Sequence, residues 1–120
     1  MKYQAEDAGI VTKAKDYSKK IIFSPGDFSR TGHLLQMVTI PPLTSQRSHY
    51  HHHQTEVFYV IRGRCSIFIN SVEYNPQPGD AFICEPEDKH YLWNRSRKEF
   101  KLLVFKINFD PNKDDTVWEG

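Results

Sequence analysis

The feature that most limits this chain is its punctuation. Turn-forming groups recur at short intervals: Ser24-Pro25-Gly26-Asp27, Pro41-Pro42, Gly63, Asn70-Ser71, the run Asn75-Pro76-Gln77-Pro78-Gly79-Asp80, Pro86-Glu87-Asp88, Asn94-Arg95-Ser96 and Asp110-Pro111-Asn112. Proline cannot continue a helix or a central strand, and glycine, asparagine and aspartate favour the backbone angles of turns. Between these stops lie runs rich in β-branched and aromatic residues, at 20–23, 33–40, 56–62, 64–70, 80–84, 89–94 and 99–109. Val, Ile, Thr and the aromatics together number 38, against 10 Ala and Leu, so the bias is to strand. No window holds a sustained helical apolar period, which leaves short peripheral helices at most. Short strands joined by Gly/Pro turns predict an all-β sandwich or barrel. With 120 residues, there is room for one such domain, the stretch 20–109. Ahead of it, 1–19 reads as an arm, a short helix or a strand lent to a partner. Behind it, 110–120 reads as a tail.

Charge and cysteine content narrow the function classes. Sixteen Lys and Arg against fifteen Asp and Glu leave a net charge of +1. A nucleic-acid binder needs a basic excess to displace counterions from phosphates, so nucleic acid is not expected as a partner. No stretch nears the ~20 apolar residues of a bilayer span, and Met1–Tyr17 is too polar for a signal peptide; no membrane partner is expected. Cys65 and Cys84 have no CxxC spacing and are too few for a disulfide framework, which makes a reduced, cytoplasmic setting the expectation. In Glu56–Ile61 the even positions are Glu56, Phe58 and Val60 and the odd ones Val57, Tyr59 and Ile61. A strand apolar on both sides is expected to be covered on both sides. The outer cover would come from a second sheet, the N-terminal arm or another subunit, and a homodimer is the expectation.

The most unusual stretch is Ser48-His49-Tyr50-His51-His52-His53-Gln54-Thr55-Glu56, which holds four of the six histidines. It lies mid-chain, is interrupted, and runs straight into a strand, unlike a purification tag. On extended backbone, residues two apart share a side, so His49 and His51 can offer two imidazoles to one ion. His51 and His53 have the same spacing, and spacing alone leaves both registers open. Imidazole is the usual ligand of zinc, copper, iron and nickel, and an added carboxylate admits manganese. Glu56 supplies a carboxylate, but it has the opposite parity to His51. A turn or bulge within His52–Thr55 is therefore required if the three share a site.

The run His49-x-His51-x4-Glu56-x6-Gly63 resembles the first motif of the cupin superfamily, H-x-H-x(3,4)-E-x(6)-G, and this selects the His49/His51 register. The second cupin motif, G-x5-P-x-G-x2-H-x3-N, aligns on Gly79, His90 and Asn94, with fifteen residues (Arg64 to Pro78) between the motifs. The sequence departs from the pattern where the family's opening glycine falls on Leu43, and where Glu85 and Glu87 stand at the proline and glycine of the second motif. The resemblance implies a small single-domain cupin, an all-β double-stranded β-helix (jelly-roll barrel). It also implies one divalent transition metal per chain (Fe, Mn, Ni, Zn or Cu), held by His49, His51, Glu56 and His90. Four ligands on an octahedral ion leave two positions for a bidentate substrate or dioxygen, whereas tetrahedral zinc would be filled. The expected activity is metal-assisted catalysis on a small oxygenated metabolite or sugar, of dioxygenase or isomerase type. A non-catalytic sugar- or small-ligand-binding module and a metal-free epimerase-type cupin are the alternatives.

Phe58, Val60, Ile67, Ile69, Phe82, Leu92 and Trp93 are candidates for lining the barrel, though apolar residues at strand spacing are mostly packing. Gln36 and Tyr59 are candidate polar contacts in a pocket. Cys84 can approach the metal but reads better as an inert buried thiol. Glu85, Glu87 and Asp88 are candidate general bases at a pocket mouth, or simply a solvated turn. His33 and His52 have no partner in the pattern. Arg95, Arg97 and Lys98 read as an ordinary hairpin tip.

Overall fold

In the computed structural model, which describes residues 1–119, the runs between turns become strands. They are β1 (Val11–Lys13), β2 (Ser18–Phe23), β3 (His33–Ile40), β4 (Thr44–Ser45), β5 (His49–His51), β6 (Thr55–Arg62), β7 (Ser66–Ile69), β8 (Val72–Tyr74), β9 (Ala81–Cys84), β10 (His90–Asn94), β11 (Phe100–Ile107) and β12 (Thr116–Trp118). A 3-10 turn at Pro25–Asp27 is the one helical piece among the described residues. Among the described residues no helix is long and apolar enough to cross a membrane.

The strands form two antiparallel sheets. One runs β1-β2-β3-β11-β6-β9; the other runs β12-β5-β10-β7-β8, with β4 also on β10. Strict alternation drives this layering. In β3 the buried positions are Leu34, Gln36, Val38 and Ile40, and in β11 they are Phe100, Leu102 and Val104. Val38, Ile40, Phe100, Leu102 and Val104 meet Ile67 and Leu92 of the facing sheet in one apolar core with Phe58 and Val60. Full burial of each such side chain stabilises the fold by about 1.5–3 kcal/mol. The polar buried residues His51, Glu56 and His90 lie beside the core and share a cavity with its members Val38, Phe58, Leu92, Leu102 and Val104.

On the outside of β6, neither a second sheet nor the N-terminal arm supplies the expected cover. Val57 and Ile61 are half-buried and Tyr59 is 46% exposed, so this chain lays no second layer over them. The N-terminal segment contributes β1 to the edge of its own sheet, Val11 pairing with Lys20. The stretch after 109 contributes β12, which pairs with β5.

Candidate metal centre

Strand register brings the motif residues together. His49 on β5 lies directly across from His90 on β10, and His51, two residues on, shares its face. The chain then leaves one sheet and enters the other, with the turn 52–54 between β5 and β6. That break reverses the parity, so that Glu56 faces the same interior as His51. The turn is held from a distant part of the chain. Asp115 accepts hydrogen bonds from the backbone N–H groups of His52 (3.2 Å), His53 (2.9 Å) and Gln54 (2.9 Å).

One ligand atom from each of His49, His51, Glu56 and His90 lies within 4.8 Å of the others. Glu56 Oε1 is 2.5 Å from His51 Nε2 and 3.2 Å from His90 Nε2. Each imidazole has a partner on its far side. His49 Nδ1 donates to the Arg47 carbonyl (3.1 Å) and His90 Nδ1 to the Asp88 carbonyl (2.9 Å), while His51 Nδ1 meets Thr116 Oγ1 at 3.1 Å. A carbonyl only accepts, so on His49 and His90 the proton of a neutral ring sits on Nδ1 and the Nε2 lone pair faces the cluster. His51 Nε2 is buried and has no hydrogen-bond partner, the short approach to Glu56 notwithstanding. An orphaned, buried imidazole nitrogen among two more and a carboxylate is what a metal ligand set looks like with the ion taken away. The donor set fits a divalent transition metal.

The electrostatics agree. Burial, and then the neighbouring His90, push His49 down to about 4, so its ring is neutral at physiological pH. Burial raises the Glu56 carboxyl, but the imidazoles of His51 and His90 and the Lys106 ammonium outweigh it and hold that carboxyl well below its usual range. Burial lowers His90, and the adjacent Glu56 carboxylate more than offsets it, with a net rise. The cluster opens onto a cavity of about 130 Å³ between the sheets, walled by Phe58, Leu92, Val104 and Gln36 among others.

The remaining candidates separate cleanly. Phe58, Leu92 and Gln36 line the cavity, and Val60 and Ile67 lie in the core. Ile69 and Phe82 pack against that core. Two candidates are corrected. Tyr59 is on the outer face, and Trp93 is 39% exposed beneath the Arg95 guanidinium (3.9 Å), because both have outward parity on their strands. Glu85, Glu87 and Asp88 do not line the cavity. Glu87 pairs with His52 (3.0 Å), and Asp88 accepts from the Glu85 N–H (2.9 Å) and from Asn70 Nδ2 (2.9 Å), which fixes the turn instead. His53 is exposed, and His33 stacks on Phe105. Cys84 is buried opposite Glu56, its thiol pushed up to about 12 by burial and then by Glu56 and Asp88, an inert form.

Several cavity residues escaped the sequence reading: Lys19, Lys106, Thr116 and Trp118. For Lys106 a signal existed, since it continues the inward parity of Phe100, Leu102 and Val104. The odd positions of β11 (Leu103, Phe105, Ile107) are equally apolar, which hid it. Trp118 lies tilted against His49, with ring centroids 4.8 Å apart and an interplanar angle of 41°.

Comparison with known proteins agrees with this geometry. Residues 36–106 match the cupin domain family, and the chain belongs to it. The fold is the cupin double-stranded β-helix. A curated relative, an oxidoreductase of Arthrobotrys oligospora, is 35% identical over 66 residues. The match takes in 53% of this chain and 26% of the relative, so the chain spans about a quarter of that protein's length. Among solved structures, the polyketide cyclase RemF from Streptomyces resistomycificus superposes with a TM-score of 0.79 at 17% identity, over 92% of this chain and 82% of that one. KdgF from Halomonas sp. also gives 0.79, at 13% identity, over 93% and 97%. At such identities these two likenesses concern the fold alone.

Proposed function

We propose that His49, His51, Glu56 and His90 hold one divalent transition metal, and that the chain is a metal-dependent enzyme acting on a small oxygenated metabolite. The observation that carries this reading is the orphaned His51 Nε2, buried beside Glu56 and His90 while the outer nitrogen of each ring is tied down. Bound there, the ion supplies Lewis acidity and, if it is redox-active, a route for electrons to dioxygen. The chain's own residues do the rest. The Arg47 and Asp88 carbonyls and Thr116 fix ring tautomer and aim. Phe58, Leu92 and Val104 keep bulk water from the reacting end of the cavity. Between oxidoreductase and isomerase chemistry, the named activity of the Arthrobotrys relative favours oxidation.

Elemental analysis of the chain purified without added metal tests this. About one transition-metal ion per chain is expected, and His51→Ala and Glu56→Gln should each lower occupancy by about 10-fold or more, as loss of a ligand or of its orienting partner does. His52→Ala and His53→Ala should leave it within twofold. A chain that takes up no transition metal overturns the reading. Such a chain that epimerised a nucleotide sugar would assign the metal-free alternative. Iron with oxygen uptake on candidate substrates would assign a dioxygenase, and full zinc occupancy without turnover a binding module.

We also propose that a second copy covers the bare outer face of β6 and β9, where Tyr59 and Ile83 stand 46% and 62% exposed. Light scattering after size exclusion reads it. The mass of a single 14.1 kDa chain at all concentrations would overturn it.

A further inference from the structure

The cavity beside the histidine–glutamate cluster carries two cations that no carboxylate pairs with directly. Lys19 on β2 and Lys106 on β11 both line it, and both are half-buried. Lys106 stands directly across from Glu56 in the β6–β11 ladder. Even so, neither ammonium forms an ion pair among the described residues, because the Glu56 oxygen is turned to His51 and His90. Their neighbours are aromatic: Lys19 Nζ lies 5.3 Å from the Tyr17 ring centroid and Lys106 Nζ 4.9 Å from that of Phe109. Such contacts orient a cation without cancelling its charge. Beside them, Gln36 is only 4% exposed and lines the same space.

Charge counting then indicates what the cavity takes. Glu56 contributes one negative charge and the two lysines two positive ones. A divalent ion on the cluster would raise the local balance to about +3. Half-buried like charges repel strongly where water is partly excluded. The effect is already visible in Lys19, which burial and then the Lys106 ammonium push below its ordinary range. An uncharged diol or sugar would leave that excess uncompensated, whereas an anion would relieve it. The volume of about 130 Å³ is close to that of a cavity fitting benzene, or roughly six heavy atoms.

We propose that the cavity selects a small dicarboxylate, one carboxylate received by Lys19, Lys106 and the Gln36 amide, and the other end directed to the His49/His51/Glu56/His90 cluster. This rests on the metal reading above for the second half of the contact, but not for the first. Lys19, Lys106 and Gln36 act here as substrate-binding residues that set specificity for charge.

Malonate, and its uncharged isostere malonamide, are the probes. Each is titrated calorimetrically into the metal-loaded and the metal-stripped chain, with metal content measured before and after. Malonate should bind the loaded chain about 10-fold or more tightly than malonamide. Lys106→Met and Lys19→Met should each weaken malonate by about 5–10-fold, the worth of a partly desolvated ion pair, with malonamide binding and metal content unchanged. Lys106→Arg should retain most of the affinity. Lys101→Met, on the opposite face of the same strand, should match wild type. Malonate affinity unchanged in both Met variants, with metal in place, overturns the inference and leaves the metal centre standing. A chain that takes no metal sinks the metal reading instead. The stripped-chain titrations then decide on the lysines alone: loss of malonate affinity in the Met variants supports them, and unchanged affinity overturns them.

Discussion

At Gly63 the backbone has φ +92°, and an added Cβ would sit 2.6 Å from the Glu99 carbonyl oxygen and 3.1 Å from Phe100 Cα. Neither contact can yield, since both belong to the backbone of the neighbouring strand. Gly79 has a similar φ of +96° with nothing within 4 Å of its missing Cβ. Two glycines of the cupin motifs are thus required for different reasons, one by angle and contact, the other by angle alone. Gly63→Ala should cost about 2–4 kcal/mol and Gly79→Ala about 1 kcal/mol. Thermal melts would read these as drops of about 3–5 °C per kcal/mol. The family's other glycine positions tell the converse story. Leu43 and Glu87 occupy them here, and both still adopt left-handed backbone, at φ 54° and 73°. Leu43 is 69% exposed, so its side chain adds little packing. Leu43→Gly should therefore leave stability within about 0.5 kcal/mol, relief of strain offsetting the greater freedom of unfolded glycine. Leu43→Val, β-branched at positive φ, should lose about 1 kcal/mol or more.

Elements far apart in sequence do the aiming. The turn 52–54 sets Glu56 into the interior, and its three N–H groups close on one carboxylate from beyond β11. Burial raises the Asp115 carboxyl, but those N–H groups together with the nearby His53 outweigh it and lower it. A depressed carboxyl stabilises the fold fully above its unfolded pKa and loses that contribution as pH falls through the folded value. Asp115→Asn should thus be less stable than wild type near pH 7, by about 1–2 kcal/mol on the scale of a lost helix cap. The gap should close as pH falls below 4. Denaturant midpoints across that range measure it, and a gap that persists undiminished at acid pH would sink the idea. Because the turn aims Glu56, the same variant should also bind metal more weakly.

This clamp also marks where sequence reading stopped. The need for a break between His51 and Glu56 followed from parity, and the structure has it. What makes the break, Asp115, lies 61 to 63 residues from its partners, and no local pattern connects them. β12 was missed for the same reason: three residues in a polar tail have no period, and register with β5 makes them a strand. Alternation in β3 and β11 was legible because two long strands repeat it. The faces of β6 were not, since both are apolar and only the sheet order tells inside from outside.

For the whole molecule, the proposed ion would add a bond between two layers that meet mainly through apolar contacts. Polar ones are few, such as Asn94 Nδ2 donating to the Ile40 carbonyl (3.1 Å). His49, His51 and His90 belong to one sheet and Glu56 to the other, and the fully buried Ile40 and Phe100 are not among the residues lining the cluster's cavity. Anything that binds the native state and not the unfolded one stabilises it by mass action, by about 2.7 kcal/mol at a free concentration 100 times the dissociation constant. A chain saturated with its metal should therefore melt about 8–13 °C above the stripped chain. Chelator should reverse the gain, and Glu56→Gln should abolish most of it, since it cuts the link between sheets while leaving three imidazoles in place. The stiffening should also be local. Amide exchange ought to slow most in β5, in β12 and around the turn 52–54, the segments tied to the cluster through Thr116 and Asp115, and least in the β3–β11 ladder, which the core already holds. A metal that raised the melting temperature while protecting the β3–β11 ladder as much as β5 and β12 would have to bind somewhere other than at this cluster.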